Sequence, residues 1–243
     1  MLEAFNKQSC KNFEIIFADD GSQDNSEQII RSFPFRKDIQ YKFVSQDDKG
    51  FRKCRILNRA IEITRTEYLI FSDGDCIPHK RFVEDHYRNR KTKTLLCGRR
   101  VLLDDPLSKR IKEKKDFSFL TLFSIFNSKS GMKYESIRLG ALGAFFNLFH
   151  NKPSILGSNF SVHKEDIVAI NGFDERYEAP GAGEDNDLQL RLKNNGEHFR
   201  WIRNRAIQYH LYHIKQVVPP QNLKIYRDNE EKQRTYTPYG IKQ

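Results

Sequence analysis

Cysteine is scarce and scattered. The four (Cys10, Cys54, Cys76, Cys97) form no Cys-x-x-Cys pair. That spacing argues against a zinc site or a disulfide framework and fits a reducing compartment, the cytoplasm. Long hydrophobic runs are also missing. No apolar stretch approaches the roughly 18–20 residues needed to span a bilayer, and none reads as a signal peptide. The chain lacks internal repeats, low-complexity tracts and any helix-turn-helix, zinc-finger or RNA-binding signature, so no nucleic acid is expected as a partner. Acidic charge is in deficit. Against 42 Lys and Arg stand 32 Asp and Glu, a net charge of +10, which by itself points to an anionic partner: nucleotide, nucleic acid, anionic lipid or acidic polymer. The 243 residues can bury a substantial core, as one large α/β domain or two small ones.

The chain is organised around EYLIFSDGDCIP, residues 67–78. Tyr68 to Phe71 is an apolar run of strand length. It leads straight into Asp73 and Asp75, with Gly74 between them for the turn and Pro78 ending the ladder. Two hard oxygen ligands at the carboxyl end of a strand suit Mg²⁺ or Mn²⁺. The plainer reading is a strand followed by an acidic turn.

Before this stretch the chain alternates strand and helix. Phe13–Ala18 reads as a strand, and Asp19 to Ser26 as a glycine turn with capping residues for a helix at Glu27–Phe33. Asp20 there is placed to meet a base or ribose, since open α/β sheets bind ligands at such turns. Ile39–Ser45 is a second strand. The helix opened by GFRKCRILN carries Arg52, Lys53 and Arg55, which could hold a diphosphate near a helix start or simply be a solvated basic face. Phe82–Lys91 reads as a helix and Thr94–Val101 as a strand. The pattern predicts a mainly parallel mixed sheet with helices on both faces. Met1 to Ser9 reads as the back half of an amphipathic helix, so the chain is expected to start inside its first helix, without an opening strand.

Residues 104–152 break the pattern. They hold a basic cluster (Lys109, Arg110, Lys112, Lys114, Lys115) and two short apolar runs, Phe117–Phe126 and Leu139–Phe149. An inserted helical pair packed on the domain is the first expectation. A peripheral contact with anionic membrane is the second. Beyond it come a strand at Ile155–Val162, a helix at about Lys164–Ile170 closed by Asn171-Gly172, and a glycine-bearing loop. That loop delivers Glu184, Asp185 and Asp187 to a helix start, where the dipole favours acids. Three carboxylates within four residues exceed what capping needs. A last strand, Ala206–His213, carries His210 and His213, which face opposite sides of an extended strand. From Ile214 the chain reads as a loop and tail, open to a lid role.

Four blocks taken together resemble the family-2 glycosyltransferases of GT-A fold, with a C-terminal half similar to the galactosyltransferase-type catalytic segment. They are FEIIFADDGSQDNS (13–26), residues 50–58 with EYLIFSDGDCIP, GSNFSVHKEDIVAINGFDE (157–175), and GEDNDLQLRL (183–192) with the strand Tyr209–His213. The resemblance implies a Rossmann-like α/β/α domain over residues 1–243. Its nucleotide-sugar half would be 1–103, its insertion 104–152, its acceptor half 153–213 and its tail 214–243. It implies inverting transfer of a sugar from a nucleotide-diphosphate donor, a UDP-sugar, to a glycan or glycolipid hydroxyl in cell-surface polymer synthesis, at the inner face of the plasma membrane. By this resemblance Asp20, Arg52, Arg55, Asn58 and Asp73 serve the donor, Asp73 near the ribose. Asp75 and His210 hold Mn²⁺ or Mg²⁺, with His213 the second choice. Asp185 is the base, and Glu184 and Asp187 orient the acceptor. The tryptophan–glycine usual before Glu-Asp is replaced by Ala179–Ala182, the opening strand is lacking, and 104–152 has no counterpart. The rival classes are a non-catalytic nucleotide-sugar binder of the same fold and a basic membrane-surface or nucleic-acid binder.

Overall fold

The computed structural model describes residues 1–140, 142–143, 145, 152–179, 183–214 and 220–242. Much of the second apolar run of the insertion, residues 180–182 of the loop before Glu184 and residues 215–219 at the start of the tail lie outside the described residues.

Helix α1 (Leu2–Asn6) leads to strand β1 (Phe13–Asp19), helix α2 (Ser26–Ser32) and strand β2 (Ile39–Ser45). β1 and β2 pair in parallel in a sheet of their own. Helix α3 (Lys53–Ile63) lies against both. It buries Cys54, Ile56, Asn58 and Ile61, an amphipathic spacing that turns one stripe inward.

The central sheet joins β3 (Tyr68–Phe71), β5 (Thr94–Cys97), β7 (Phe160–His163) and β8 (His198–Trp201) in the order β3-β7-β5-β8. Its two faces follow the period-2 alternation of its strands. Leu69, Phe71, Leu95, Cys97, Phe160 and Val162 face a core completed by α3, α7 (Lys164–Ala169) and α8 (Glu184–Asn194). Ile70 and Leu96 face the opposite core with Phe82 and Val83 of α4 (Phe82–Asn89). Helices on both faces give the three-layer α/β/α arrangement. A third sheet, β4-β9-β6, uses β4 (Cys76–Pro78), β6 (Val101–Leu102) and β9 (Gln208–His210).

The sheets are mixed, as expected, and three other expectations change. Among the described residues parallel and antiparallel strand pairs are equal in number. β1–β2, β5–β8 and β6–β9 are parallel, while β3–β7, β5–β7 and β4–β9 are antiparallel. β7 runs against both of its neighbours, so no helical crossover in a common direction relates it to either. The strand expected at 94–101 splits at Gly98. A Cβ there would sit 2.1 Å from Asn159 Oδ1, so the backbone must pass that amide closely. The expected strand through His213 stops at His210. The tail is not all loop, because residues Pro220–Glu231 form α9, which docks on α8. Proline at a helix start is its one local signal.

The insertion forms α5 (Asp105–Lys114), α6 (Leu122–Phe126) and a short 3₁₀ turn at Lys133–Ser136. Asp104 caps α5 through the Leu107 amide. Ile111 and Ile125 are buried with Ala4, Ile77, Val101 and Leu103. Arg138 pairs with Asp85 of α4, and Arg203 with Glu135. The segment is therefore fastened to the domain by a small core and by ion pairs.

Candidate active site

The β3 strand ends where the sheet ends, so Asp73 and Asp75 project from its carboxyl edge. The β4–β9 register sets Cys76 opposite His210, and the Leu211 amide donates to the Asp75 carbonyl at 3.0 Å. That pairing brings His210 Nε2 to 3.1 Å from Asp75 Oδ2. The strand stops at His210, so the residues after it are free of the ladder. His213 Nε2 then reaches the same oxygen at 3.4 Å and His210 Nε2 at 3.2 Å. Both histidines converge on Asp75, against the expectation that an extended strand would separate them.

These three atoms can share a cation. Adjacent ligands around a metal at about 2.1 Å lie about 3 Å apart, close to the spacing found. Burial works to raise the Asp75 carboxyl, but His210, Cys76 and His213 together outweigh it and hold the carboxyl below its ordinary range. Cys76 Sγ belongs to the same cluster. With no ion bound, burial pushes its thiol well up and keeps it protonated.

Asp73 turns the other way. Its Oδ1 accepts from Lys53 Nζ at 3.0 Å, and Arg100 Nη1 lies 3.7 Å from Oδ2. Arg100 also donates to Ser158 Oγ at 2.9 Å. Across from Asp73 stands the start of α8. Gly183, at φ 149°, packs on the Tyr177 ring so closely that a Cβ would lie 2.8 Å from Cε1. This glycine lets the helix begin at Glu184. Asp185 Oδ2 accepts from the Gly157 amide at 3.1 Å, and Gln189 Oε1 accepts from the Ile155 amide at 2.6 Å. The helix thus holds the turn before β7. Glu184 is almost buried, and its Oε2 has no hydrogen-bond partner. Burial first, and the Asp185 charge second, push its carboxyl up to about 7.

Other expected site residues sit elsewhere. Asp20 Oδ2 accepts from the Arg52 amide and Oδ1 from Gln46 Nε2, each at 2.6 Å. It ties the β1 turn to the start of α3. The Arg52 guanidinium bonds to the Asp47 carbonyl, and Arg55 is exposed on α3. Asn58 does not line the cleft. It is buried, donating to the Phe173 carbonyl at 2.9 Å and accepting from the Phe173 amide at 2.8 Å. Asp187 does not line it either, because it is sealed against Arg191 at 2.7 Å and Asn229 at 2.6 Å. On a helix, three residues past Glu184 is nearly one turn, but α9 covers that position. The structure adds two cations to the site that the sequence pattern does not single out. Lys53 reads only as one of a basic group, and Arg100 carries no local mark of its own. Arg100 follows the end of β5, and a basic pair at a strand's carboxyl end is the available signal.

The family described as glycosyl transferase family 2 matches residues 1–165, and the N-terminal domain of galactosyltransferase matches 137–214. Chondroitin synthase of Escherichia coli is 27% identical over 217 residues, covering 84% of this chain and 31% of its own length. The uncharacterized glycosyltransferase YfnE of Bacillus subtilis is 26% identical over 244 residues, covering 87% of this chain and 60% of its own. The chain thus spans less than a third of the length of that chondroitin synthase. Among solved structures, S. aureus TarS 1–349 in complex with UDP-GlcNAc superposes with a TM-score of 0.61 at 14% identity, covering 96% of this chain and 61% of TarS 1–349. The architecture is therefore GT-A, and with more than half of its residues inside the first match, the chain belongs to glycosyltransferase family 2 and is a glycosyltransferase.

Proposed function

We propose that the enzyme transfers a sugar, with inversion, from a UDP-sugar to a hydroxyl of a glycan or glycolipid acceptor in cell-surface polymer synthesis. The observation that carries this reading is the meeting of Asp75, His210 and His213 on one side of Asp73 and the Glu184–Asp185 pair on the other. The UDP and UDP-GlcNAc in the TarS structures support uridine as the donor base. Asp75 with the two histidines would hold the divalent ion, and imidazole donors favour Mn²⁺ over Mg²⁺. When bound, that ion would offset charge gathering on the leaving diphosphate. Lys53 and Arg100 stand beside Asp73 as further cations for the same charge. Asp185 would take the proton from the acceptor hydroxyl, and Glu184 would orient that hydroxyl. Inversion needs only this one base beside the nucleophile.

The reading extends to location: the cytoplasm, at the inner face of the plasma membrane. Phe123 is 79% exposed and Tyr134 74% exposed on an insertion rich in lysine, the composition of a surface that rests on anionic lipid. Among the described residues no helix is long and apolar enough to cross a membrane.

A nucleotide-sugar panel tests the activity. With Mn²⁺ present, a UDP-sugar should raise Tm and release UDP slowly, and excess chelator should remove both effects. No response to any nucleotide-diphosphate sugar in the presence of Mn²⁺ would overturn the reading.

A further inference from the structure

Lys53 opens α3 at a position that its own helix does not favour. The first turn carries no acid, while Arg52, Lys53 and Arg55 bring positive charge to the positive end of the dipole. The stabilisation must come from outside the helix. Lys53 Nζ donates to Asp73 Oδ1 at 3.0 Å, and Glu184 and Asp185 also act on it. Gly157 lies between the parts. A Cβ on Gly157 would sit 3.6 Å from Asp185 Oδ2 and 3.8 Å from Lys53 Nζ, so the ammonium and the carboxylate flank one bare backbone position.

We propose that Lys53 is a positioning residue, a cationic strut that ties the donor-side Asp73 to the acceptor-side Glu184–Asp185 pair and keeps those two adjacent carboxylates together in the cleft. This rests on the transferase reading of the cleft. The charged and titratable groups facing Glu184 are Asp185 on its own helix, Lys53 and Cys54 on α3, and Asp73 after β3. Lys53 is the one cation among them. Burial alone would lower the Lys53 ammonium, and the surrounding carboxylates reverse this and raise it. In turn Lys53 pulls the Glu184 carboxyl down against burial and Asp185. Removing the ammonium leaves the pair to be relieved by a proton.

The test follows the Glu184 carboxyl in the free enzyme by carbon NMR, with Glu184→Gln assigning the signal. Lys53→Met should move its titration midpoint up by about one pH unit, the shift that one nearby opposite charge produces. Lys53→Arg should move it little. The acidic limb of kcat/KM for the acceptor should rise with it in Lys53→Met and return in Lys53→Arg. If Lys53→Met does not fold, Lys53→Gln repeats the titration. An unmoved midpoint, or an effect confined to donor KM, overturns the proposal. The carboxyl titration needs no turnover, so it decides the question even if the transferase reading fails.

Discussion

Helix α8 carries two sets of carboxylates under opposite conditions. At its first turn Glu184 and Asp185 face the cleft, where the Lys53 ammonium acts on Glu184. One turn on, Asp187 is sealed inside. It pairs with Arg191, which is equally buried, and Asn229 of α9 completes its shell. Arg191 also donates to the Ile170 and Gly172 carbonyls at 3.0 and 2.8 Å. Both Asp187 oxygens find a partner, with only Arg191 Nη2 of this buried group left over, whereas Glu184 Oε2 in the cleft has none. Charges satisfied within the chain have little left for a ligand, whereas undersatisfied ones are a reservoir for chemistry. Proximity in sequence conceals this division, because both sets read as one acidic run.

Substitutions can break this contrast at several points. The largest effect is expected at Asp75. Asp75→Ala should abolish Mn²⁺ binding as followed by calorimetry, because two histidines would remain without the carboxylate. Undiminished affinity would remove the metal assignment. Next comes the base. Asp185→Asn keeps the shape and should cost about 10²–10⁴ in kcat, the usual share of general-base catalysis, with donor affinity nearly unchanged. Full turnover in Asp185→Asn with none in Glu184→Gln would exchange their roles.

The buried set should answer in stability. Arg191→Met leaves Asp187 as an unpaired buried charge and should cost about 3–5 kcal/mol in urea unfolding. A loss of under about 1 kcal/mol would show that Asp187 reaches solvent or another cation.

Glu184 sharpens the contrast through pH. Its folded carboxyl titrates at about 7, above the ordinary 4.5 of the unfolded chain. Between these values the folded state holds the extra proton, so this group favours folding at low pH. That advantage is lost as pH rises through about 7. Glu184→Gln should therefore raise Tm at about pH 8, with the gap to the parent closing by about pH 5. A constant gap would contradict the raised carboxyl. The smallest effect concerns the insertion. Binding to phosphatidylglycerol vesicles should fall severalfold in Phe123→Asp and weaken with salt. Equal partitioning onto neutral vesicles would count against an electrostatic contact.

Local sequence was enough for the framework of the site. The run Tyr68–Phe71 is a strand because it is apolar and strand-long, and the residues after it must turn, carrying Asp73 and Asp75. Asn171-Gly172, both at positive φ, end α7 where the pair predicts a stop. The acids from Glu184 read as leading into a helix at Leu188–Asn194, and α8 takes them in as its own first turn. These outcomes need only near neighbours along the chain.

Tertiary structure decided which polar side chains belong to the cleft. Asn58 and Asp187 face inward because Phe173 and α9 pack over them. His213 reaches Asp75 because β9 stops at His210 and the residues after it leave the strict alternation of a strand. Lys53 and Arg100 meet Asp73 from segments that are distant in sequence. A residue pattern fixes an element and its apolar stripe. What covers the polar remainder depends on partners far along the chain, and short-range periodicity carries no record of them.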